Sequence, residues 1–187
     1  MSATVFTIAN QLTLLRMLLI PAFVILTLYG EFGWALAVFA FAGLTDLLDG
    51  LAARTAGQKS ELGAWLDPAA DKLLLVTTFI VLTLPNIGLV NRIPLWLTVC
   101  MISRDLTIVV TVIIVNLAIG RRTFRPTLLG KIATGIYIAT GLVFLIVNYL
   151  GRPSPVTDVM VYLSLIITVF SALHYIRHAS RIISEGA

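Results

Sequence analysis

Four aspartates at regular spacing interrupt an otherwise oily chain. Asp46 and Asp49 lie three residues apart and Asp67 and Asp71 four apart, all within GLTDLLDGLAARTAGQKSELGAWLDPAADK, residues 43–72. On a helix, positions i, i+3 and i+4 share a face. Asp46 and Asp49 therefore share a face, and Gly50 and Ala53 fall on the same stripe. Gly63, Asp67 and Asp71 share one face of a following helix. The link between the two helices is short and polar. They are expected to run as antiparallel neighbours whose acidic faces can meet.

So many carboxylates need neutralising. One charged side chain at the centre of a membrane helix costs about 2.5–3.5 kcal/mol, and four would cost on the order of 10 kcal/mol if uncompensated. The basic residues close to them in sequence are Arg54, Lys59 and Lys72, too few on these faces. A converging set of oxygen ligands suits a hard divalent cation, Mg²⁺ or Mn²⁺. Two such ions would balance four carboxylates by charge. Paired metals roughly 4 Å apart are also a device for clamping phosphoryl oxygens. Gly50, Ala53 and Gly63 have an alternative use in close helix packing. Punctuating an acidic stripe, they leave room for a ligand. Intramembrane acids also mark proton or ion pathways, so a divalent-cation transporter is a competing reading.

The elements that must carry these residues follow from composition. The 187 residues are 59% hydrophobic and 12% charged, and mean hydropathy is +1.01. Soluble domains carry about a quarter charged residues, so the chain is expected to be an all-α integral membrane protein. A spanning helix needs about 20 apolar residues. Six candidates meet this, roughly Leu12 to Tyr29, Trp34 to Ala53, Leu62 to Leu84, Pro94 to Ile119, Leu128 to Leu150 and Val156 to Ile176. Turn residues separate them, among them Gly30-Glu31, Gly120 to Pro126 and Gly151 to Pro155. Residues 2–10 could add a short interfacial helix. The runs do not alternate with period two, which excludes a β-barrel. No composition shift divides the chain, so residues 1–187 read as one membrane domain.

Charge sets orientation and excludes one partner class. With the N-terminus inside, Arg16, Arg54, Lys59, Lys72, Arg121, Arg122, Arg125, Lys131, Arg177 and Arg181 lie on the inner side. Arg92 and Arg152 lie outside, and Arg104 lies within a span. This asymmetry puts both termini in the cytoplasm. The net charge of +4 therefore reads as contact with anionic lipid head groups, not nucleic acid. Cys100 is the one cysteine, which rules out an internal disulfide and a multi-cysteine zinc site. The N-terminus has no basic n-region and no small-residue cleavage site, so the first apolar run is expected to be retained. Tyr29, Trp34, Trp96 and Tyr149 fall near expected interfaces and read as aromatic anchors. His174 and His178, four apart, read as ordinary interfacial histidines. Trp65 falls off the acidic stripe and reads as packing.

The full spacing is D-x-x-D-G-x-x-A-R-x8-G-x-x-x-D-x-x-x-D, met here by Asp46, Asp49, Gly50, Ala53, Arg54, Gly63, Asp67 and Asp71 without departure. It resembles the signature of the CDP-alcohol phosphatidyltransferase family, and the six spans fit that family along nearly the whole chain. The resemblance implies that CDP-diacylglycerol, or another CDP-linked donor, is attacked at its β-phosphorus by an acceptor hydroxyl, with CMP leaving. It implies that Asp46, Asp49 and Asp67 are metal ligands, and that Asp71 completes the metal site or acts as general base. It implies that Asp49, Gly50, Ala53, Arg54 and Gly63 receive the cytidine nucleotide, with Arg54 steadying its charge. A homodimer is implied as well.

The acceptor is read from weaker signals. NQLTLLRMLLIP, with Asn10, Thr13 and Arg16, and the later MISRDLTIVV and RPTLLGKIAT resemble the branch that makes phosphatidylglycerophosphate or cardiolipin. The end, FSALHYIRHASRI, leans towards mitochondrial-type cardiolipin synthases, as does Asp105 after Arg104. No organelle-targeting segment is visible, which points to a bacterial inner membrane, with glycerol-3-phosphate as acceptor and phosphatidylglycerol as the alternative. Either carries a phosphate and needs a cationic pocket, for which Arg104, Arg125, Lys131 and Arg177 are the candidates. Arg104 and Asp105 diverge by about 100° on a helix. They are expected not to pair with each other, each turning inward to a separate partner. A purely structural scaffold is the remaining alternative.

Overall fold

A computed structural model describes residues 8–56, 61–119 and 127–186. Side chains are described throughout these except at 8–10, 46–69, 115, 116, 118, 119 and 178–186. Six helices follow in order: α1 Ile8–Leu28, α2 Phe32–Ala56, α3 Glu61–Thr83, α4 Leu95–Ile119, α5 Leu128–Tyr149 and α6 Pro155–Gly186. The described residues contain no strand. Residues 2–7 of the expected interfacial helix lie outside the described residues, and positions 8–10 belong to α1 itself. Among the described residues, four helices hold apolar stretches long enough to cross a membrane: Gln11–Leu28, Leu95–Ile114, Leu128–Tyr149 and Pro155–Arg177. The described side chains of α2 add a shorter apolar stretch, Phe32–Thr45. α6 runs ten residues beyond the expected Ile176, because a helix need not end where its hydropathy does.

The turns show why these helices stop. Gly30 has φ +77°. Its N–H donates to Thr27 O at 3.1 Å, and the Glu31 N–H donates to Leu26 O at 2.9 Å. This six-to-one and five-to-two pair closes α1 and requires a left-handed residue, which glycine adopts without a Cβ penalty. At the start of α5, Thr127 Oγ1 accepts from the Gly130 N–H at 3.1 Å, a capping bond. Pro155, which has no N–H to leave unpaired, opens α6. Asn91 and Asn148 exchange two bonds, at 3.0 and 2.9 Å, and tie the loop after α3 to the end of α5.

Contacts divide the chain into two compact units, residues 1–92 with 144–153, and residues 93–143 with 154–187. In the first, α1 packs on α2 and on α3. Phe23 of α1 meets Phe39 of α2 with ring centroids 5.8 Å apart. Ala35 and Ala42 flank Phe39 on the buried stripe of α2, and such small residues let helix backbones approach closely. In the second unit, α4 packs on α6. The buried positions Val161, Ser164, Thr168, Ser171 and Tyr175 recur along α6 at alternating three- and four-residue steps, the spacing of a continuous helix seam.

The exterior is oily, and polar side chains lie buried among the apolar core. Leu18, Ile25, Leu117, Phe170 and many other large apolar side chains are exposed, while Thr13, Arg16, Thr45, Thr78, Arg104 and Ser171 are buried. Hydrocarbon, not water, favours this distribution. The threonines satisfy themselves. Thr27, Thr78 and Thr140 donate to the carbonyls of Phe23, Leu74 and Ile136, four residues back, at 2.7–2.8 Å. Along α5 and α6, Tyr137 Oη also meets Thr168 Oγ1 at 2.6 Å, and Thr140 Oγ1 meets Ser164 Oγ at 2.8 Å.

Candidate active site

The motif residues occupy the last part of α2 and the first part of α3. Asp46, Asp49, Gly50, Ala53 and Arg54 all precede the end of α2 at Ala56. Gly63, Asp67 and Asp71 follow the start of α3 at Glu61. The expected helical spacing therefore holds on both elements, and residues 57–60 lie outside the described residues. The side chains of Asp46, Asp49, Gly50, Ala53, Arg54, Gly63 and Asp67 lie outside the described residues, and with them the expected ligand set and nucleotide contacts.

Asp71 is described, and it has a partner that sequence reading did not supply. Arg16 Nη1 of α1 bonds Asp71 Oδ1 of α3. Arg16 keeps 1% of its side-chain surface and Asp71 keeps 39%. Arg54, Lys59 and Lys72, the basic residues near the acids in sequence, are too few to neutralise them. For Asp71 a cation comes instead from a residue 55 positions away. Arg16 had been counted as an inner-side topology charge; it is buried inside the helix packing. The signal that could have found it is an arginine one turn after Thr13 in an apolar run, since a buried guanidinium requires a counter-charge.

The donor set fits a hard divalent ion by its chemistry. The four carboxylates of the motif would offer oxygen ligands only, which is what Mg²⁺ and Mn²⁺ take. Asp71 keeps enough exposure to meet water and a hydrated ion.

The second unit holds the other candidates. Arg104 Nη1 bonds Asp105 Oδ1 at 2.7 Å, and Arg104 Nη2 bonds Ser171 Oγ of α6. The expectation that Arg104 and Asp105 would not pair is wrong. The 100° divergence applies to their Cα–Cβ bonds, and the long arginine stem curls back across it. Arg104 is buried, and among the described residues its Nε has no hydrogen-bond partner; the same is true of Tyr175 Oη. Tyr175 lies one turn beyond Ser171 and was not singled out from sequence. A Cβ on Gly130 would lie 3.6 Å from Arg104 Nη2, so the guanidinium sits against the first turn of α5. The next residue, Lys131, is exposed, as is Arg177 on α6. Arg125 lies outside the described residues. Cys100 is exposed on α4, where a small apolar side chain can face lipid.

Comparison with known proteins agrees with the motif. A family model described as CDP-alcohol phosphatidyltransferase matches residues 6–170. A Mycobacterium tuberculosis protein named "Probable phosphatidylglycerophosphate synthase" is 34% identical over 189 residues, covering 96% of this chain and 84% of that one. A rat protein named "Cardiolipin synthase (CMP-forming)" is 38% identical over 163 residues, covering 77% of this chain and 52% of that one. A Streptomyces coelicolor protein of the same name is 40% identical over 139 residues, covering 70% and 60%.

Proposed function

The chain belongs to the CDP-alcohol phosphatidyltransferase family, and from that premise we propose that it moves the phosphatidyl group of CDP-diacylglycerol to a glycerol-based acceptor with release of CMP. The observation that carries this reading is the unbroken eight-residue motif, laid across the end of α2 and the start of α3. Glycerol-3-phosphate is the acceptor in this reading and phosphatidylglycerophosphate the product. The two-way coverage of the mycobacterial relative supports it. Identities of 38–40% to cardiolipin synthases keep phosphatidylglycerol as the second acceptor.

In the reaction, the acceptor oxygen bonds to the β-phosphorus, the pyrophosphate P–O bond breaks, and CMP departs with the electron pair. Asp71 stands ready as base for the hydroxyl proton, its carboxylate steadied by Arg16. Asp49, Gly50, Ala53, Arg54 and Gly63 would receive the CDP moiety, the small residues admitting it close to the backbone. Mg²⁺ or Mn²⁺, two ions by charge balance, held by Asp46, Asp49, Asp67 and Asp71, would supply charge neutralisation at the pyrophosphate oxygens. For the acceptor phosphate we assign Arg104, Arg125, Lys131 and Arg177. Support comes from the Nε of Arg104, which has no partner among the described residues, and from Lys131 in the first turn of α5, where the helix dipole favours an anion.

We further place all six helices as membrane spans, with both termini and the active site on the cytoplasmic side of a bacterial inner membrane. The Lys and Arg asymmetry supports this even without Arg16. We take residues 1–187 as one membrane domain and the working unit as a homodimer.

The test is CMP release by purified protein given CDP-diacylglycerol and Mg²⁺ or Mn²⁺. Glycerol-3-phosphate, phosphatidylglycerol, inositol phosphate and serine are supplied in parallel. Release with glycerol-3-phosphate alone supports the main reading, and release with phosphatidylglycerol alone supports the second. No release from folded, metal-supplied protein would overturn both and return attention to cation transport.

A further inference from the structure

The start of α2, away from the motif, borders a cavity of about 610 Å³ lined by Gly30, Glu31, Phe32, Gly33, Trp34 and Tyr149, among others. That volume lies in the range of about 300–1,000 Å³ typical of small-ligand sites. Its chemistry is one-sided. It holds one carboxylate, three aromatic rings and no basic side chain. Trp34 and Tyr149 are 68% and 63% exposed. Among the described residues, nothing forms a hydrogen bond or ion pair with the Glu31 carboxylate.

A carboxylate among aromatic faces attracts a soft organic cation. Ring quadrupoles favour an ammonium over the ring face, and an exposed carboxylate adds charge. The start of α2 opposes this with only a partial positive charge. The wall is built for closeness: a Cβ on Gly33 would lie 2.8 Å from Tyr149 Cε2. The missing side chain therefore lets the Tyr149 ring lie over the first turn of α2. The location adds a second argument. The apolar stretches of α1 and α5 end at Leu28 and Tyr149, beside this cavity. Membrane-crossing segments that end there would put it at the depth of lipid head groups, where tryptophan and tyrosine gather.

We propose that this cavity binds the alkylammonium head group of a zwitterionic phospholipid, with Glu31 as counter-charge and Trp34 and Tyr149 as ring walls. It is separate from the reaction. Trp34 and Asp49 are about 22 Å apart along α2 at 1.5 Å per residue, so the proposal stands or falls apart from the transferase reading.

The experiment is native mass spectrometry of the purified protein with phosphatidylethanolamine, phosphatidylcholine and phosphatidylglycerol of identical acyl chains. Wild type is expected to retain the two ammonium lipids. Glu31→Gln should lower their retention about five- to tenfold, leaving phosphatidylglycerol retention and CMP release unchanged. Trp34→Leu should act in the same direction, and free choline should compete. Unchanged ammonium-lipid retention in Glu31→Gln, or an equal loss of phosphatidylglycerol, overturns the proposal. So does a change of oligomeric state in Glu31→Gln with lipid retention intact, which would make this face a subunit contact.

Discussion

Replacing Asp71 should destabilise the protein more than replacing Arg16, although the two form one ion pair. The reason is their unequal burial, 1% exposure for Arg16 against 39% for Asp71. Asp71→Asn removes the carboxylate from a guanidinium that water does not reach. Breaking a buried pair from one side costs about 3–5 kcal/mol. Arg16→Met leaves a carboxylate that water does reach, so hydration takes over part of the loss. The cost there falls to about 1–2 kcal/mol. For a domain of this size, 1 kcal/mol moves the unfolding midpoint by about 2–4 °C. Asp71→Asn should thus lower it by about 6–20 °C and Arg16→Met by about 2–8 °C. The double variant loses both charges and should unfold above Asp71→Asn alone. The assay is thermal unfolding in one detergent, without added divalent cation, followed by tryptophan fluorescence. A larger loss in Arg16→Met than in Asp71→Asn would refute the burial argument. Strict additivity in the double variant would refute the pairing. The comparison also bears on function, because lost CMP release in Asp71→Asn mixes chemistry with stability.

Other substitutions separate the remaining roles. Asp46→Asn and Asp67→Asn should each lower CMP release by about 10²–10³-fold, the scale of removing one electrostatic stabiliser; circular dichroism should show the helices intact. Lys131→Ala should raise the KM for glycerol-3-phosphate about tenfold, as expected for one charge-assisted bond, with the KM for CDP-diacylglycerol little changed. Equal effects on both substrates would count against an acceptor role. Asn148→Leu removes two hydrogen bonds to the Asn91 backbone and should cost about 1–3 kcal/mol, read as a lower unfolding midpoint with unchanged KM values.

What could be read from sequence was local, and what could not was long-range. The ends of α1 and α5 were marked by Gly30 and Gly151, both at positive φ in the structure. The acidic stripes followed from helical spacing, which needs no tertiary information. Arg16 to Asp71 spans three helices of chain, and no periodicity announces it. Arg104 with Asp105 departs from expectation for another reason: the direction of the Cα–Cβ bond does not decide what a long side chain reaches. The apolar stretch of α6, Pro155–Arg177, agrees with the expected span Val156 to Ile176, while the helix itself continues to Gly186.

The threonine hydroxyls have a consequence for how the protein is made. Thr140 bonds Ile136 O within its own helix as well as Ser164 across the seam, and Thr168 bonds Ser164 O as well as Tyr137. Each of these threonine hydroxyls is already satisfied before its neighbour arrives. A nascent α5 can therefore leave the translocation machinery for lipid without waiting for α6. The later docking adds bonds without first having to strip water from these groups, and each such bond between membrane helices is worth only about 0.6 kcal/mol. Helix-by-helix biogenesis is thus open to this chain, with the order of association left to shape and packing.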